Sequence, residues 1–354
     1  MDENRDEKGA FYGKITGFQG SISCHKQTFH RIVKHPLNYC SFAICFRIIP
    51  GILLTDLSDF MSRLFIYTLV LSVLTLSACR NHSTTGQKER IITVTILPQK
   101  YILSHIAGEK FRINVLIPEE ANHETYEPTA RQMVETGNSM AYLKIGLLDV
   151  EKSWLPNLAG SNPGMKIFDT SEGYELMSGE THEHEGHRHE GGMDPHIWLS
   201  VSGARRQAHN ILKALTEIDP ENTSYYQENH DRFLVLLDSS DKQIKRILKA
   251  GKADSFMIYH PSLGYFARDY NLSQIPIEQE GKEPSPAYMK ELIDLAREKK
   301  INTIFISSQF NKQSAVTIAS QINARVEEFN PSSPDWSNNL ISIARKIAGA
   351  SDKN

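Results

Sequence analysis

The residues best suited to chemistry lie in the stretch 181–198, which reads THEHEGHRHEGGMDPHIW. Its first part interleaves histidines with glutamates and contains no apolar residue that could be buried in a core. Imidazole and carboxylate groups are ligands that a borderline divalent cation such as zinc prefers. Four histidines within eight residues far exceed chance and favour a metal-collecting loop over an inert polar insertion. These histidines are His182, His184, His187 and His189.

The second part of the stretch, Asp194-Pro195-His196, has the character of a fixed site. Pro195 restricts the backbone just before His196, and the apolar residues 197–199 supply the anchor that a stationary ligand needs. A lone histidine is more often structural than functional, so His196 needs partners from elsewhere in the chain. We therefore predict a mobile loop that leads into one arm of a fixed metal site.

Candidate partners of His196 follow predicted strands. His260 comes directly after a strand at 255–259, and His123 with Glu124 lies in the loop after a strand at 112–117. In open parallel sheets, ligands bind beyond the carboxyl ends of the strands. We therefore expect these polar groups to converge through the topology of the fold, although they are distant in sequence.

Strands and helices alternate along residues 91–354, which predicts an α/β fold with parallel sheets. Apolar runs predict strands at 91–96, 112–117, 141–145 and 166–169, and a second set at 255–259, 274–277, 303–306 and 325–329. Helices are predicted at 101–108, 128–136, 150–158, 201–218, 264–270, 285–299, 314–322 and 336–348.

A longer helix is predicted between the two sets. Asp219 can cap it, Pro220 suits its first position, and apolar residues keep helical spacing up to Gly251. Such a helix is about 45 Å long and could act as a strut. We therefore divide the chain into an N-terminal lobe, 91–221, with the His-rich loop 181–192, a linking helix, 222–250, and a C-terminal lobe, 251–354.

The region before residue 91 has the order of an export signal. Met61-Ser62-Arg63 is a basic start, residues 64–76 form an apolar run, and Ser77-Ala78-Cys79 leads to a cleavage site. A membrane-spanning helix is the alternative, but it needs about 20 apolar residues. Residues 76–79 also resemble the bacterial lipobox, so we interpret 61–79 as a lipoprotein signal peptide with Cys79 as the lipidated residue. Residues 1–60 are then a disordered segment or an over-long start before Met61, and a cytoplasmic extension is the alternative.

Composition narrows the function of the exported part. All four cysteines lie at or before Cys79, so zinc there must be bound by nitrogen and oxygen. Residues 80–90 are polar and small, as in a flexible tether. The net charge of −3 and the lack of a basic stripe with aromatics argue against nucleic-acid binding. We expect a protein located outside the cytoplasmic membrane and attached to it by a lipid.

Several ordered motifs together resemble the zinc-specific substrate-binding lipoproteins of bacterial ABC importers. They are the lipobox, NHETYEP at 122–128, the His-rich loop before DPHIWLS at 194–200, EIDPEN at 217–222 and YHPSLGYFARDYNL at 259–272. The resemblance covers residues 91–354. It implies two similar α/β lobes joined by a rigid helix, with the metal in the cleft between them. It also implies an ABC permease and its ATPase as partners of a monomeric protein.

The resemblance places the family's second and third histidine ligands on His196 and His260. The family usually carries His-x-Tyr-Glu at its first ligand loop, but here Glu124 stands two residues before Tyr126 and the histidine is His123. The family's acidic ligand positions in the second lobe correspond to Ser307 and Asn330, and neither is a strong zinc ligand.

We therefore predict a zinc site formed by His196, His260 and Glu124, with water or His123 as the fourth ligand. Neighbouring side chains in an extended loop point apart, so only one of Glu124 and His123 is expected to bind directly. Glu124 is chosen because it occupies the family's ligand register. A carboxylate would also offset part of the charge of the cation.

The predicted function is high-affinity capture of zinc and its delivery to an ABC permease. Manganese is the first alternative cargo. A zinc hydrolase is a weaker alternative, because the sequence has no His-Glu-x-x-His, no Gly-x-Ser-x-Gly and no thiol nucleophile in its exported part. A surface adhesin in which metal only stabilises the fold is a third. We expect a binding protein and not an enzyme.

Overall fold

The computed structural model describes residues 61, 64–68, 89–179, 183–184, 187–188, 192–251, 253–279 and 281–349. The chain divides into two compact units, residues 1–82 and 83–354, and the described residues of the first unit are helical. Residues 1–60, Cys79, the tether up to residue 88, His182 and His189 all lie outside the described part. Within that part, no helix combines the length and the apolar character needed to cross a bilayer.

The first sheet is built around β1 (Ile91–Val94), a fully buried strand. It pairs in parallel with β2 (Arg112–Val115) and β3 (Ala141–Lys144), and β4 (Lys166–Asp169) extends the sheet beyond β3. Apolar and β-branched residues suit such a strand, because parallel sheets are covered on both faces. The helices that connect these strands are α1 (Leu97–Ala107), α2 (Ala130–Gly137) and α3 (Asp149–Ser161).

The first helix differs from the sequence prediction. α1 begins at Leu97, before the predicted start at 101, and β1 ends at Val94. Pro98 lies in the first turn of α1, where its missing N–H costs no hydrogen bond. The proline therefore opens the helix directly after the strand.

The segment between the sheets contains two short strands and two helices. β5 (Glu183–His184) pairs antiparallel with β6 (His187–Arg188) inside the His-rich loop, where no strand was predicted. A 3-10 turn, Ile197–Leu199, precedes α4 (Val201–Ile218). α5 (Thr223–Gly251) is 29 residues long and buries one face. The large buried apolar residues on that face are Tyr226, Phe233, Leu237, Ile244 and Leu248.

Asp219 does not cap α5, contrary to the prediction. Pro220–Asn222 form a separate 3-10 turn, and α5 begins after it at Thr223. The Asp219 carboxylate instead accepts a hydrogen bond from the Tyr226 hydroxyl and pairs with Arg90 at 3.0 Å. This acid therefore fastens the start of the first sheet to α5.

The second sheet repeats the strand order of the first. β7 (Ser255–Ile258) lies between β8 (Ser273–Pro276) and β9 (Thr303–Ser307), and β10 (Arg325–Phe329) follows β9. The order β8-β7-β9-β10 corresponds to β2-β1-β3-β4. The remaining helices are α6 (Gly264–Asp269), α7 (Pro286–Glu298), α8 (Gln313–Ile322) and α9 (Trp336–Ile347). The predicted fold class is confirmed: two similar parallel-sheet lobes joined by a long helix.

One hydrophobic cluster extends across both lobes. It contains β1, α1 and the buried face of α5 together with Phe256, Phe305 and Trp336 of the C-terminal lobe. The Trp336 indole N–H donates to the carbonyl of Trp198, and the Trp198 indole donates to the carbonyl of Pro331 at 2.8 Å. The 3-10 turn that follows His196 is therefore fixed from both lobes. The boundaries 91–221, 222–250 and 251–354 remain predictions, because the core crosses them.

Candidate metal centre

Three of the four candidate metal-ligand side chains come from loops that follow strands of the two four-stranded sheets. His123 and Glu124 follow β2, His260 follows β7, and His196 directly precedes the buried 3-10 turn. Open parallel sheets place such loops at their ligand-binding edge. A cavity of about 410 Å³ opens beside Glu124, His196 and His260 and is lined by residues of both lobes.

The reactive atoms of these side chains lie close together. Nε2 of His123 is 3.0 Å from Nε2 of His196, and Nε2 of His260 is 3.0 Å from Oε1 of Glu124. The ring centroids of His196 and His260 are 5.2 Å apart. The ligand atoms of His123, Glu124 and His196 all lie within 4.8 Å of one another. Two ligands about 2.0–2.1 Å from a tetrahedral zinc ion are about 3.3 Å apart, so these spacings suit a single cation.

The approach of His260 to Glu124 is not a conventional hydrogen bond. Nε2 of His260 is buried and has no hydrogen-bond partner among the described residues, although Oε1 of Glu124 is only 3.0 Å away. The contact is therefore an ion pair whose geometry falls short of a well-aligned hydrogen bond.

His123 and Glu124 face the same centre because residues 123–125 form a turn. The Asn122 side chain accepts a hydrogen bond from the Glu124 backbone N–H at 2.9 Å and closes this turn. The prediction assumed an extended loop with diverging side chains, and that premise is wrong. His123 is only 2% exposed, whereas 34% of the Glu124 side chain is exposed.

Two further carboxylates, which sequence reasoning missed, hold the imidazoles of His196 and His260. Oδ1 of Asp194 lies 2.7 Å from Nδ1 of His196 and accepts its backbone N–H at 2.9 Å. Oε1 of the buried Glu278 lies 2.7 Å from Nδ1 of His260. A carboxylate at Nδ1 orients the ring and directs Nε2 towards a cation. Two features of the sequence could have indicated these carboxylates: Asp194 stands two residues before His196, and Glu278 directly follows the predicted strand at 274–277.

Electrostatics sets the charge of the centre. Burial and the neighbouring His196 lower the pKa of His123 to about 3. Burial disfavours the charged form of Glu124, but its contacts with His260 outweigh this and lower the pKa to about 2. Burial also disfavours protonated His260, yet Glu124 and Glu278 raise its pKa to about 9. At neutral pH, His123 is therefore uncharged, Glu124 is ionised and His260 carries a proton.

The loop after β9 contacts the centre without a carboxylate. Phe310 stacks on His260 with ring centroids 5.3 Å apart and planes at 15°, and Gln309 donates to the carbonyl of Ala121 at 2.9 Å. Ser307, at the first acidic position of the resembling family, is buried at the end of β9. Asn330, at the second, donates to Oε1 of Glu119 at 3.2 Å. The second lobe thus covers His260 with an aromatic ring.

The His-rich loop is joined to the centre through its base. Ser178 and Met193 form an antiparallel bridge, and the Gly179 N–H donates to the carbonyl of Gly192 at 2.6 Å. The backbones of His184 and His187 pair in the short hairpin of β5 and β6. The structure therefore brings the side chains of His123, Glu124, His196 and His260 together. Along the chain, the paired base lies between His196 and the histidines of the loop.

A family model and several known proteins match most of this chain. The family described as zinc-uptake complex component A, periplasmic, matches residues 92–350, which include the four clustered side chains. The high-affinity zinc uptake system protein ZnuA of Bacillus subtilis (strain 168) is 29% identical over 280 residues, covering 75% of this chain and 87% of the relative.

A second relative carries a different metal in its name. The manganese ABC transporter substrate-binding lipoprotein PsaA of Streptococcus anginosus is 27% identical over 270 residues, covering 72% of this chain and 84% of the relative. A crystal structure of ZnuA matches with a TM-score of 0.69 and 41% identity, covering 74% of this chain and 99% of that one.

Proposed function

The chain belongs to the zinc-uptake complex component A family, and we propose that it captures zinc with high affinity outside the cytoplasmic membrane and delivers it to an ABC permease. The permease and its ATPase are the partners, and the captured ion is the cargo. Cys79 is the proposed site of the lipid anchor, and the protein acts as a monomer.

The observation that carries this proposal is the convergence of His123, Glu124, His196 and His260 at spacings that suit one cation. Imidazole nitrogen and a single carboxylate are donors that zinc accepts readily in four-coordinate sites. Such a cluster has no evident benefit for folding, because two of its buried imidazole nitrogens, Nδ1 of His123 and Nε2 of His260, lack hydrogen-bond partners in the described part.

The proposed ligands are Nε2 of the three histidines and a carboxylate oxygen of Glu124. His123 takes the fourth position in preference to water, because its ring is buried and its Nε2 already lies 3.0 Å from that of His196. Asp194 and Glu278 orient their histidines and offset the remaining positive charge of the ion.

Capture and release of the ion can both be explained by the fact that the proposed ligands come from different lobes. His123 and Glu124 belong to the N-terminal lobe, whereas His260 follows a strand of the C-terminal lobe. A partner that draws the two loops apart breaks bonds to the ion from opposite sides. Release therefore needs only a small displacement of loops, and the shared core can remain intact.

Manganese remains the second candidate cargo, because a relative named for manganese matches most of the chain. Three imidazoles favour zinc over manganese, which is better served by oxygen ligands. A hydrolase is disfavoured, because catalytic zinc keeps an open position for water and this set of four side chains closes the coordination shell.

The test is metal binding by purified residues 80–354. We expect one tight equivalent of zinc that manganese displaces poorly in chelator competition. His196→Ala and His260→Ala should each lower zinc affinity at least about tenfold, because each removes a direct bond. His209→Ala, at an exposed histidine of α4, is the matched control and should bind as the parent does.

Two results would overturn the proposal. A parent protein that binds no zinc tightly would contradict the function. His196→Ala or His260→Ala binding as tightly as His209→Ala would contradict the site.

A further inference from the structure

The hydroxyl of Tyr265 joins two segments that are distant in sequence from it. Tyr265 lies on α6, and its side chain is fully buried. Its hydroxyl accepts the backbone N–H of Met177 at 3.0 Å and donates to the backbone carbonyl of Asp194 at 2.8 Å. Burial raises the pKa of Tyr265 to about 12, so the hydroxyl keeps the proton that it donates.

The two segments also bond to each other. The Asp194 N–H donates to the carbonyl of Met177 at 2.9 Å. Tyr265, Met177 and Asp194 are therefore each hydrogen-bonded to the other two. Met177 and Asp194 stand on the two arms that enclose residues 180–191, next to the bridge between Ser178 and Met193. One tyrosine of the C-terminal lobe thus closes the base of the His-rich segment.

Asp194 carries this constraint to the metal centre. Its carboxylate binds both the backbone N–H and Nδ1 of His196, at 2.9 and 2.7 Å. Any shift of the Asp194 backbone therefore moves the imidazole of His196. Because metal affinity depends on ligand geometry within fractions of an ångström, the position of Asp194 matters for binding.

The helix that carries Tyr265 begins shortly after His260. Gly264 opens α6, and a Cβ atom there would lie 2.9 Å from Oδ2 of Asp194, so glycine permits this close approach. His260 is therefore connected to His196 through residues 261–265, the Tyr265 hydroxyl and Asp194, whose carboxylate binds His196. Two ligands from different lobes share this short and buried support.

We propose that Tyr265 is a positioning residue of the metal centre, which locks Asp194 against Met177 and so holds His196 at the distance from His260 that one zinc ion requires. This inference rests on the proposed capture of zinc at these histidines. It assigns to the hydroxyl a role beyond packing, because the ring alone would fill the same space.

The test compares Tyr265→Phe with Tyr174→Phe in the full chain. Tyr174 is a matched control: its hydroxyl bonds to Ser202 of its own lobe and to Arg268 of the C-terminal lobe, at 2.6 Å each, and its hydrogen bonds among the described residues do not include Asp194. We expect Tyr265→Phe to weaken zinc binding about tenfold, which is the lower end of the loss seen when residues that orient metal ligands are replaced. Tyr174→Phe should change zinc affinity less than about twofold.

A double-mutant cycle separates positioning from general stability. If Tyr265 acts through Asp194, then Tyr265→Phe combined with Asp194→Ala should bind zinc no more weakly than Asp194→Ala alone. Additive losses would show that the hydroxyl acts by another route and would overturn the proposal. Thermal melting of each metal-free variant identifies any variant that fails to fold.

A metal-free readout keeps this inference distinct from the proposed function. Tyr265→Phe should speed hydrogen exchange at the Met177 amide and shift the Nδ1 proton signal of His196, and Tyr174→Phe should do neither. An unchanged His196 signal would overturn the positioning role whether or not zinc binds. A parent that binds no zinc, with both metal-free effects present, would contradict the proposed function and leave the support of His196 by Tyr265 established.

Discussion

The three histidines of the centre are not equivalent. Asp194 holds Nδ1 of His196 and Glu278 holds Nδ1 of His260, but Nδ1 of His123 is buried without a hydrogen-bond partner in the described part. The ring of His123 is instead packed edge-on against Trp198, with centroids 5.3 Å apart. Carboxylates thus orient two of the proposed histidine ligands, whereas packing alone orients His123.

Protonation of His260 predicts a pH-dependent affinity. Its pKa of about 9 means that the metal-free protein holds a proton on His260 at pH 7, and zinc must displace it. Binding should release about one proton, and apparent affinity should rise about tenfold per pH unit from pH 7 until it levels off near pH 9. Calorimetry in buffers of different ionisation enthalpy measures the proton count.

Glu278→Gln is the matched variant for this prediction. Removing the carboxylate lowers the pKa of His260, so fewer protons should be released at pH 7. Burial already keeps His123 neutral, with a pKa of about 3, and it should contribute no proton. A binding enthalpy that is independent of the buffer in the parent would contradict this account.

Glu124 and His123 allow a direct ranking of the two neighbouring ligands. We expect Glu124→Ala to weaken zinc binding more than His123→Ala, because it removes the one carboxylate among the four proposed ligands. Glu124→His should sharpen the preference for zinc over manganese, since it exchanges oxygen for nitrogen. Chelator competition with both metals measures each variant.

The opposite ranking would assign the dominant role to His123. So would a structure of the zinc complex with His123 at about 2.0 Å from the ion and Glu124 directed to solvent.

At the scale of the elements, periodicity and turn residues predicted the strands and helices of both lobes closely. Two wrong predictions have local causes. Pro98 lies in the first turn of α1, where it was expected only to end β1. Asp219 bonds to Tyr226 and does not cap α5. Both outcomes depend on which residues lie nearby in the folded protein, and sequence patterns do not show this. Residue type and sequence context, including the position of His260 after a predicted strand, singled out His196 and His260 as candidate ligands, and the resemblance to a family added that both correspond to its histidine ligands.

The details of the site were harder to predict than the fold. The turn at 123–125 depends on one hydrogen bond from the Glu124 backbone to Asn122, which no periodicity encodes. Glu278 reaches His260 because β8 lies beside β7, a pairing that exists only in the folded sheet. Contacts between adjacent strands follow from topology, whereas the ligand residue types are visible in the sequence.

The paired base of the His-rich loop predicts a division of labour between elements. Deleting residues 182–189 should remove weak additional zinc equivalents and keep one tight site, because the bridge of Ser178 with Met193 and the contact of Asp194 with His196 lie outside the deletion. Calorimetric titration with zinc gives the stoichiometry of the parent and the deletion variant.

Replacing the four loop histidines with serine is the control that preserves loop length. Loss of the tight equivalent in both variants would show that the loop binds the ion in the centre directly. Loss in the deletion alone would indicate that the base had been disturbed.

At the scale of the whole molecule, the two lobes are similar in topology but not independent in packing. The core cluster runs from β1 through α5 to Trp336, so each lobe buries apolar surface against elements of the other. The identical strand order brings the carboxyl ends of both sheets to one site, while the shared core fixes their distance. The shared core therefore holds the four proposed ligand side chains close together.

The shared core predicts that residues 83–354 unfold as one unit. Calorimetry of the metal-free exported chain should show a single transition, since neither lobe can lose its structure without exposing the common cluster. Zinc present at about 100 times its Kd should add about 2.7 kcal/mol to the free energy of unfolding, because only the folded state brings the ligands together. His260→Ala should keep the single transition and lose at least about half of that gain at the same zinc concentration, because it removes a proposed ligand without touching the core. Two separate transitions in the metal-free parent would show that the lobes fold independently, and the support of the centre would then have to come from the ion itself.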